Sequence, residues 1–120
     1  MKTVLTVDDS SSVRQMVKIA LGGAGYGVVQ AGDGAAGLAA AKANAVDLVV
    51  TDLNMPIMNG LEFIRALRQL APYRGVPIVF LTTESDDGLK RDAKAAGATA
   101  WITKPFKQDQ FLNVVKKLIG

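Results

Sequence analysis

The chain has 120 residues, nearly half of them hydrophobic, and a formal charge of +3. That is enough for one domain with its own core. It has no cysteine and no histidine, which excludes disulfides, thiolate metal centres and cysteine nucleophiles and removes the commonest general base and zinc ligand.

Five short apolar runs alternate with segments of helical spacing. The first run is Thr3–Val7. It stops at Asp8, too short for a secretory core, and no later run approaches membrane-spanning length. A cytoplasmic protein with no membrane partner is expected. Ser10–Ser12 can cap a helix whose apolar stripe is Val13, Met16, Val17, Ala20 and Leu21. Gly22 and Gly23 can end it. The second run, Gly27–Ala31, leads to Gly32-Asp33-Gly34 and an Ala-rich stretch, Ala35–Ala45, that favours helix. The third run, Asp47–Thr51, is followed by Asp52 and then by Asn59-Gly60, which opens a helix with the stripe Leu61, Phe63, Ile64, Leu67 and Leu70. The fourth run, Val76–Leu81, precedes a helix that Gly97 ends. The fifth, Ala100–Thr103, precedes a last helix with the stripe Phe111, Val114, Val115, Leu118 and Ile119.

Continuous apolar runs suit strands covered on both faces. Alternating strands and helices with right-handed crossovers favour an α/β fold: a (βα)₅ doubly wound parallel sheet, one domain over residues 1–120 with no output domain. Basic residues are dispersed and lack interleaved aromatics, so nucleic acid is not an expected partner. The C-terminal end is locally basic through Lys104, Lys107, Lys116 and Lys117, which suits either an acidic partner or simply a helix C-terminus.

Ligands of such sheets bind beyond the C-terminal strand ends. Those positions hold Asp8 and Asp9, then Asp52, then Thr82 and Thr83, then Lys104 and Pro105. Three carboxylates brought together repel unless a cation resolves them. Mg²⁺ takes one or two carboxylates, keeps waters and accepts a phosphate oxygen. A carboxylate can attack phosphorus to give an aspartyl phosphate. The transition state spreads charge over three oxygens, which a metal ion, Lys104 and the Thr82 hydroxyl can share. The absence of histidine means that any phosphohistidine donor is a different molecule.

The sequence resembles the receiver domains of two-component response regulators, closest in kind to the stand-alone CheY-like chemotaxis type. The matching residues are Val7-Asp8-Asp9-Ser10, Asp52-Leu53-Asn54-Met55-Pro56 with Asn59-Gly60, Leu81-Thr82-Thr83-Glu84, and Lys104-Pro105-Phe106. They cover essentially the whole chain in family order. The resemblance implies a flavodoxin-like strand order 2-1-3-4-5. It makes Asp52 the phosphoacceptor. Asp9, Asp52 and the Asn54 backbone carbonyl would bind Mg²⁺, with Asp8 acting through water. Thr82 and Lys104 would hold the phosphoryl group, and the Lys104–Pro105 peptide would be cis. Thr82 and Trp101 would form the switch, although Tyr or Phe is more usual than Trp there, and a fixed packing role stands beside the mobile one. Asn54, Thr83 and Glu84 would set the phosphorylation lifetime, expected to be seconds to minutes. The expected phosphodonor is a CheA-like histidine kinase, and the expected target a protein such as the flagellar motor switch. A phosphate sink or phosphorelay receiver is the alternative. The chain would be a monomeric signalling protein, not a metabolic enzyme, with output from the fourth helix, fifth strand and fifth helix.

Two other readings compete. Gly32-Asp33-Gly34-Ala35-Ala36-Gly37 fits a dinucleotide-binding fingerprint, but it follows the second strand, and helix capping with close packing accounts for it. An aspartate-nucleophile phosphatase also combines Asp, Thr, Lys and Mg²⁺. Its nucleophile follows the first strand, however, and its second acid falls where this chain has Asn54.

Overall fold

The computed structural model describes residues 1–120. Chain order is β1 (Thr3–Val7), α1 (Ser11–Gly23), β2 (Gly27–Ala31), α2 (Gly34–Ala43), β3 (Leu48–Thr51), α3 (Gly60–Arg68), a 3₁₀ turn (Ala71–Tyr73), β4 (Ile78–Thr82), α4 (Asp87–Ala96), β5 (Ala100–Thr103) and α5 (Gln108–Ile119). The strands pair in parallel in the order β2-β1-β3-β4-β5. This is the doubly wound fold expected, with the order reversing at β1. No helix is long and apolar enough to cross a membrane.

Side chains alternate between the two faces of a strand, and here both faces are covered. Leu5, Val7, Val49, Ile78 and Phe80 face Phe63, Ile64 and Leu67 of α3. Val4, Leu48, Val50, Val79, Leu81 and Ile102 face Val17 and Leu21 of α1 and Phe111 and Val115 of α5. At about 25 cal/mol per Å² of apolar area, this double burial is the main favourable term in folding.

Local chemistry sets the element ends. Ser10, Asp33 and Asp86 each accept a backbone N–H as N-cap of α1, α2 and α4. Asn59 and Glu62 form a reciprocal capping box at α3. Gly97 ends α4 in the left-handed region, φ 114°. Gly22 and Gly23 are the last helical residues of α1; the chain leaves through Ala24 and Gly25, the latter at φ 91°.

Several expectations shift. The third strand starts at Leu48, whose partner is Val4, and not at Asp47, whose carboxylate accepts the Thr3 N–H at 2.8 Å. The fourth covers Ile78–Thr82 in place of Val76–Leu81. Pro77 has no N–H to give the ladder, and Thr82 pairs with Thr103. Leu70 lies beyond α3, yet it packs on the core as a half-buried side chain. Met16 and its neighbour Ile19 are exposed, so the stripe of α1 is narrower than its apolar residues.

The edge of the sheet opposite the strand C-termini is tied by two side chains. The Arg68 guanidinium donates to the carbonyls of Tyr73 (2.5 Å), Val76 (2.7 Å) and Gly97 (2.7 Å). Burial without a carboxylate partner pushes its pKa down. The Tyr73 hydroxyl lies 2.5 Å from the Ala41 carbonyl and 2.6 Å from that of Asn44. Together they connect the loops that enter β3, β4 and β5.

Candidate functional site

β1 and β3 are neighbours at the point where strand order reverses, so Asp8, Asp9 and Asp52 leave the sheet side by side. One carboxylate oxygen from each lies within 4.8 Å of the others. Asp8 and Asp52 are buried and Asp9 is exposed.

Backbone and lysine groups hold the two buried acids. The Ser10 N–H donates to Asp8 Oδ1 at 2.9 Å, and the Leu53 N–H to Asp52 Oδ1 at 2.7 Å. Lys104 Nζ reaches Asp8 Oδ2 at 2.8 Å and Asp52 Oδ2 at 3.3 Å. Burial pushes the Asp8 pKa up, against the opposing pull of the Lys104 and Ser10 hydrogen bonds. Lys104 follows β5 and begins a cis peptide bond to Pro105, as the resemblance implied. Its backbone N–H is fixed to the Thr82 carbonyl at 2.8 Å.

Three carboxylates with one ammonium leave an excess of two negative charges when all four groups are ionised. All-oxygen donors within 4.8 Å of one another fit a hard divalent cation such as Mg²⁺. The side chains available to hold it are those of Asp8, Asp9 and Asp52.

Thr82 ends β4, fully buried, and its Oγ1 accepts the Glu84 N–H at 3.3 Å. The Glu84 carbonyl accepts Trp101 Nε1–H at 3.0 Å, and its carboxylate accepts Asn54 Nδ2–H at 3.0 Å. Glu84 thus bonds to Thr82, Trp101 and Asn54, while Thr83 beside it is exposed. Trp101 is half-buried and stacks at a tilt on Phe80, centroids 5.4 Å apart.

The glycine-rich segment after β2 caps and packs. Asp33 accepts the Ala36 N–H at 2.8 Å. A Cβ on Gly34 would lie 2.9 Å from Met58 Cβ, and one on Gly37 2.9 Å from the Phe63 ring. Asp52 follows the third strand, unlike the nucleophile of the phosphatase reading.

Sequence reasoning missed Arg14. Its guanidinium donates to the Asp8 carbonyl at 2.6 Å, behind the acid pair. The available signal was a cation on the first turns of the helix that follows those acids.

The model of the response regulator receiver domain matches residues 4–116. The structure of the chemotaxis protein CheY4 of Vibrio cholerae is 44% identical, covers 99% of both chains and superposes with a TM-score of 0.96. The receiver domain of sensor histidine kinase PA1611 of Pseudomonas aeruginosa, solved with magnesium in its active-site cleft, is 26% identical, with 99% of this chain and 98% of that one covered and a TM-score of 0.91. Among curated relatives, the DNA-binding response regulator MtrA of Mycobacterium tuberculosis is 38% identical over 94% of this chain and 48% of its own length. The probable transcriptional regulatory protein TcrX of the same organism is 34% identical over 98% and 49%. The chain spans about half the length of these curated relatives. Its sequence and its CheY-like fold agree: the chain belongs to the response regulator receiver domain family.

Proposed function

We propose that this chain is a phosphorylation-controlled signalling switch in which Asp52 accepts a phosphoryl group from a histidine kinase. The observation that carries the reading is the Asp52 carboxylate beside the Asp8–Asp9 pair, with the Lys104 ammonium bonded to Asp8 and Asp52. An Asp52 oxygen attacks phosphorus, the P–N bond of the phosphohistidine breaks, and the electron pair leaves on the imidazole nitrogen, which takes up a proton. Asp9, Asp52 and the Asn54 carbonyl would hold Mg²⁺ directly and Asp8 through water. The ion supplies charge neutralisation at a phosphoryl oxygen. Lys104 neutralises a second, and the Thr82 hydroxyl donates to a third.

The message then passes through Glu84. Its N–H is bonded to the Thr82 hydroxyl and its carbonyl to the Trp101 indole. Turning the Thr82 hydroxyl toward a phosphoryl group releases the Glu84 N–H and shifts Trp101, held by the next carbonyl of the chain, between two packings. Output leaves by protein binding on α4, β5 and α5, where Lys90 and Lys94 flank the groove that contains Trp101, a surface suited to an acidic partner. The Asn54–Glu84 bond lies beside the phosphoacceptor and, with Thr83, sets a lifetime of seconds to minutes. A radiolabel chase in which phosphate persists for hours contradicts that lifetime.

The similarity to CheY4 over 99% of both chains favours chemotaxis, a CheA-like donor, a flagellar motor switch target and a monomer in the cytoplasm. The curated relatives are transcriptional regulators and support the second reading, a receiver or phosphate sink for a non-chemotaxis kinase. Asp52→Asn abolishes labelling by acetyl phosphate and binding of beryllofluoride; undiminished labelling of that variant removes the assignment. Phosphotransfer profiling against the host's histidine kinases separates the two readings.

A further inference from the structure

Ile57 is the residue that neither packing nor backbone preference explains. It lies on the loop from Asp52 to α3, and its φ is 72°, the only positive value outside glycine. The Met58 N–H donates to the Pro56 carbonyl at 2.7 Å, which closes a three-residue turn about Ile57. Turns of this kind with positive central φ are rare and strained, and a β-branched residue there is an outlier. Glycine or asparagine fits such a position without that cost. The side chain is also 82% exposed, so the fold gains no burial in return.

The loop beneath it is tied at several points. The Gly60 N–H closes the loop on the Leu53 carbonyl at 2.7 Å, Asn59 and Glu62 cap α3 reciprocally, and Met58 packs against Gly34. Met55 and Met58 flank the crest as half-buried side chains packed on the core. The same loop begins with the Leu53 N–H that holds Asp52 Oδ1. The result is an apolar crest on the rim of the phosphoacceptor site, fixed in place and open to solvent.

The occupant follows from the chemistry of the site. The 120 residues hold no histidine, so a phosphohistidine is presented from outside them, by a surface that has to meet this rim to reach Asp52. We infer that Ile57 is a specificity-determining contact for the donor protein, inserted against an apolar patch beside its phosphohistidine. Strain retained at a functional rim is what backbone outliers of this kind often mark. The inference rests on the phosphoacceptor reading of Asp52.

The test compares two donors. Wild type, Ile57→Gly and Ile57→Asn are labelled with acetyl phosphate and, separately, by the autophosphorylated histidine kinase that transfers fastest to wild type in a panel of the host's kinases. Both variants suit the turn and lack the apolar side chain. The kinase kcat/KM falls about tenfold in both, the size of a modest interface anchor, while acetyl phosphate labelling stays within about twofold. Unchanged kinase transfer in both variants overturns the inference. So does an equal loss with both donors, which assigns Ile57 to loop geometry. A wild-type chain labelled by neither donor overturns the phosphoacceptor reading and this inference with it.

Discussion

Lys104→Met isolates the electrostatics of the site. The ammonium is the only cation bonded to the carboxylates of Asp8 and Asp52, and their side chains are 4% and 12% exposed against 13% for the lysine. Its removal leaves two neighbouring carboxylates without their partner. Breaking a buried pair costs about 3 kcal/mol at the low end of the usual range. For 120 residues the unfolding entropy is about 0.25 kcal/mol/K, so Tm falls by roughly 12 °C at pH 7 without Mg²⁺. Two conditions then narrow the gap. The Asp8 carboxyl is held above its ordinary value, chiefly by burial, and loses a lowering partner in the variant. A raised folded pKa means that the folded chain binds the proton more tightly than the unfolded one. The deficit is therefore full above the variant's folded pKa of Asp8 and fades as pH falls through it toward the lower folded pKa of wild type. Mg²⁺ at a hundred times the wild-type dissociation constant contributes about 2.7 kcal/mol to the wild-type folded state, and at the same concentration the variant, freed of the competing ammonium, gains more. Calorimetry at neutral and mildly acid pH, each with and without Mg²⁺, reads all four conditions. A deficit that ignores both pH and Mg²⁺ shows that Lys104 contributes packing and not charge, and refutes the reasoning.

Three further outcomes follow from particular contacts. Gly60→Ala places a Cβ on the Asp52 carbonyl oxygen, 2.7 Å from the Phe80 ring and 2.9 Å from Leu53 Cα; with backbone as the obstacle, the cost is about 3 kcal/mol, and a Tm within a few degrees of wild type contradicts it. Arg68→Met leaves three carbonyls without their donor, costs about 2–4 kcal/mol, and speeds amide exchange around residues 73–76 and 97; exchange that rises only near Asp52 goes against this. In wild type, beryllofluoride with Mg²⁺ alters Trp101 fluorescence and indole N–H exchange, because the Glu84 carbonyl that holds the indole belongs to the same peptide chain segment as the Thr82 contact. An unresponsive indole makes Trp101 a fixed packing residue.

The fold was legible because both of its signals are local. Apolar runs such as Leu48–Thr51 have no polar break, and caps such as Asp33 and Asn59 sit at fixed offsets from the helices they start. The site was legible because the topology turns four strand ends into one place, so Asp8, Asp52, Thr82 and Lys104 need no contact information to be grouped. What stayed hidden depends on tertiary reach. Arg68 looks like any surface arginine until Tyr73, Val76 and Gly97 present their carbonyls to it. Arg14 finds Asp8 only after α1 is folded back on β1. The strain at Ile57 is a dihedral angle, and no residue pattern in that loop requires it. The start of β4 failed for a different reason: Val76 continues the apolar run, but proline hydrogen bonding decides where the ladder begins.

The ties made by Arg68 and Tyr73 divide the molecule into two chemically unlike ends. At one end, every acceptor of these two side chains is a neutral backbone carbonyl, and an arginine keeps its proton across the range a cell experiences. At the other end, the contacts are between charges: Lys104 is paired with Asp8 and Asp52, beside Asp9. A rise in ionic strength therefore acts on the charged end and leaves the ties of Arg68 and Tyr73 as they were. Such a division lets the chain register ions without loosening the frame against which their effect is read.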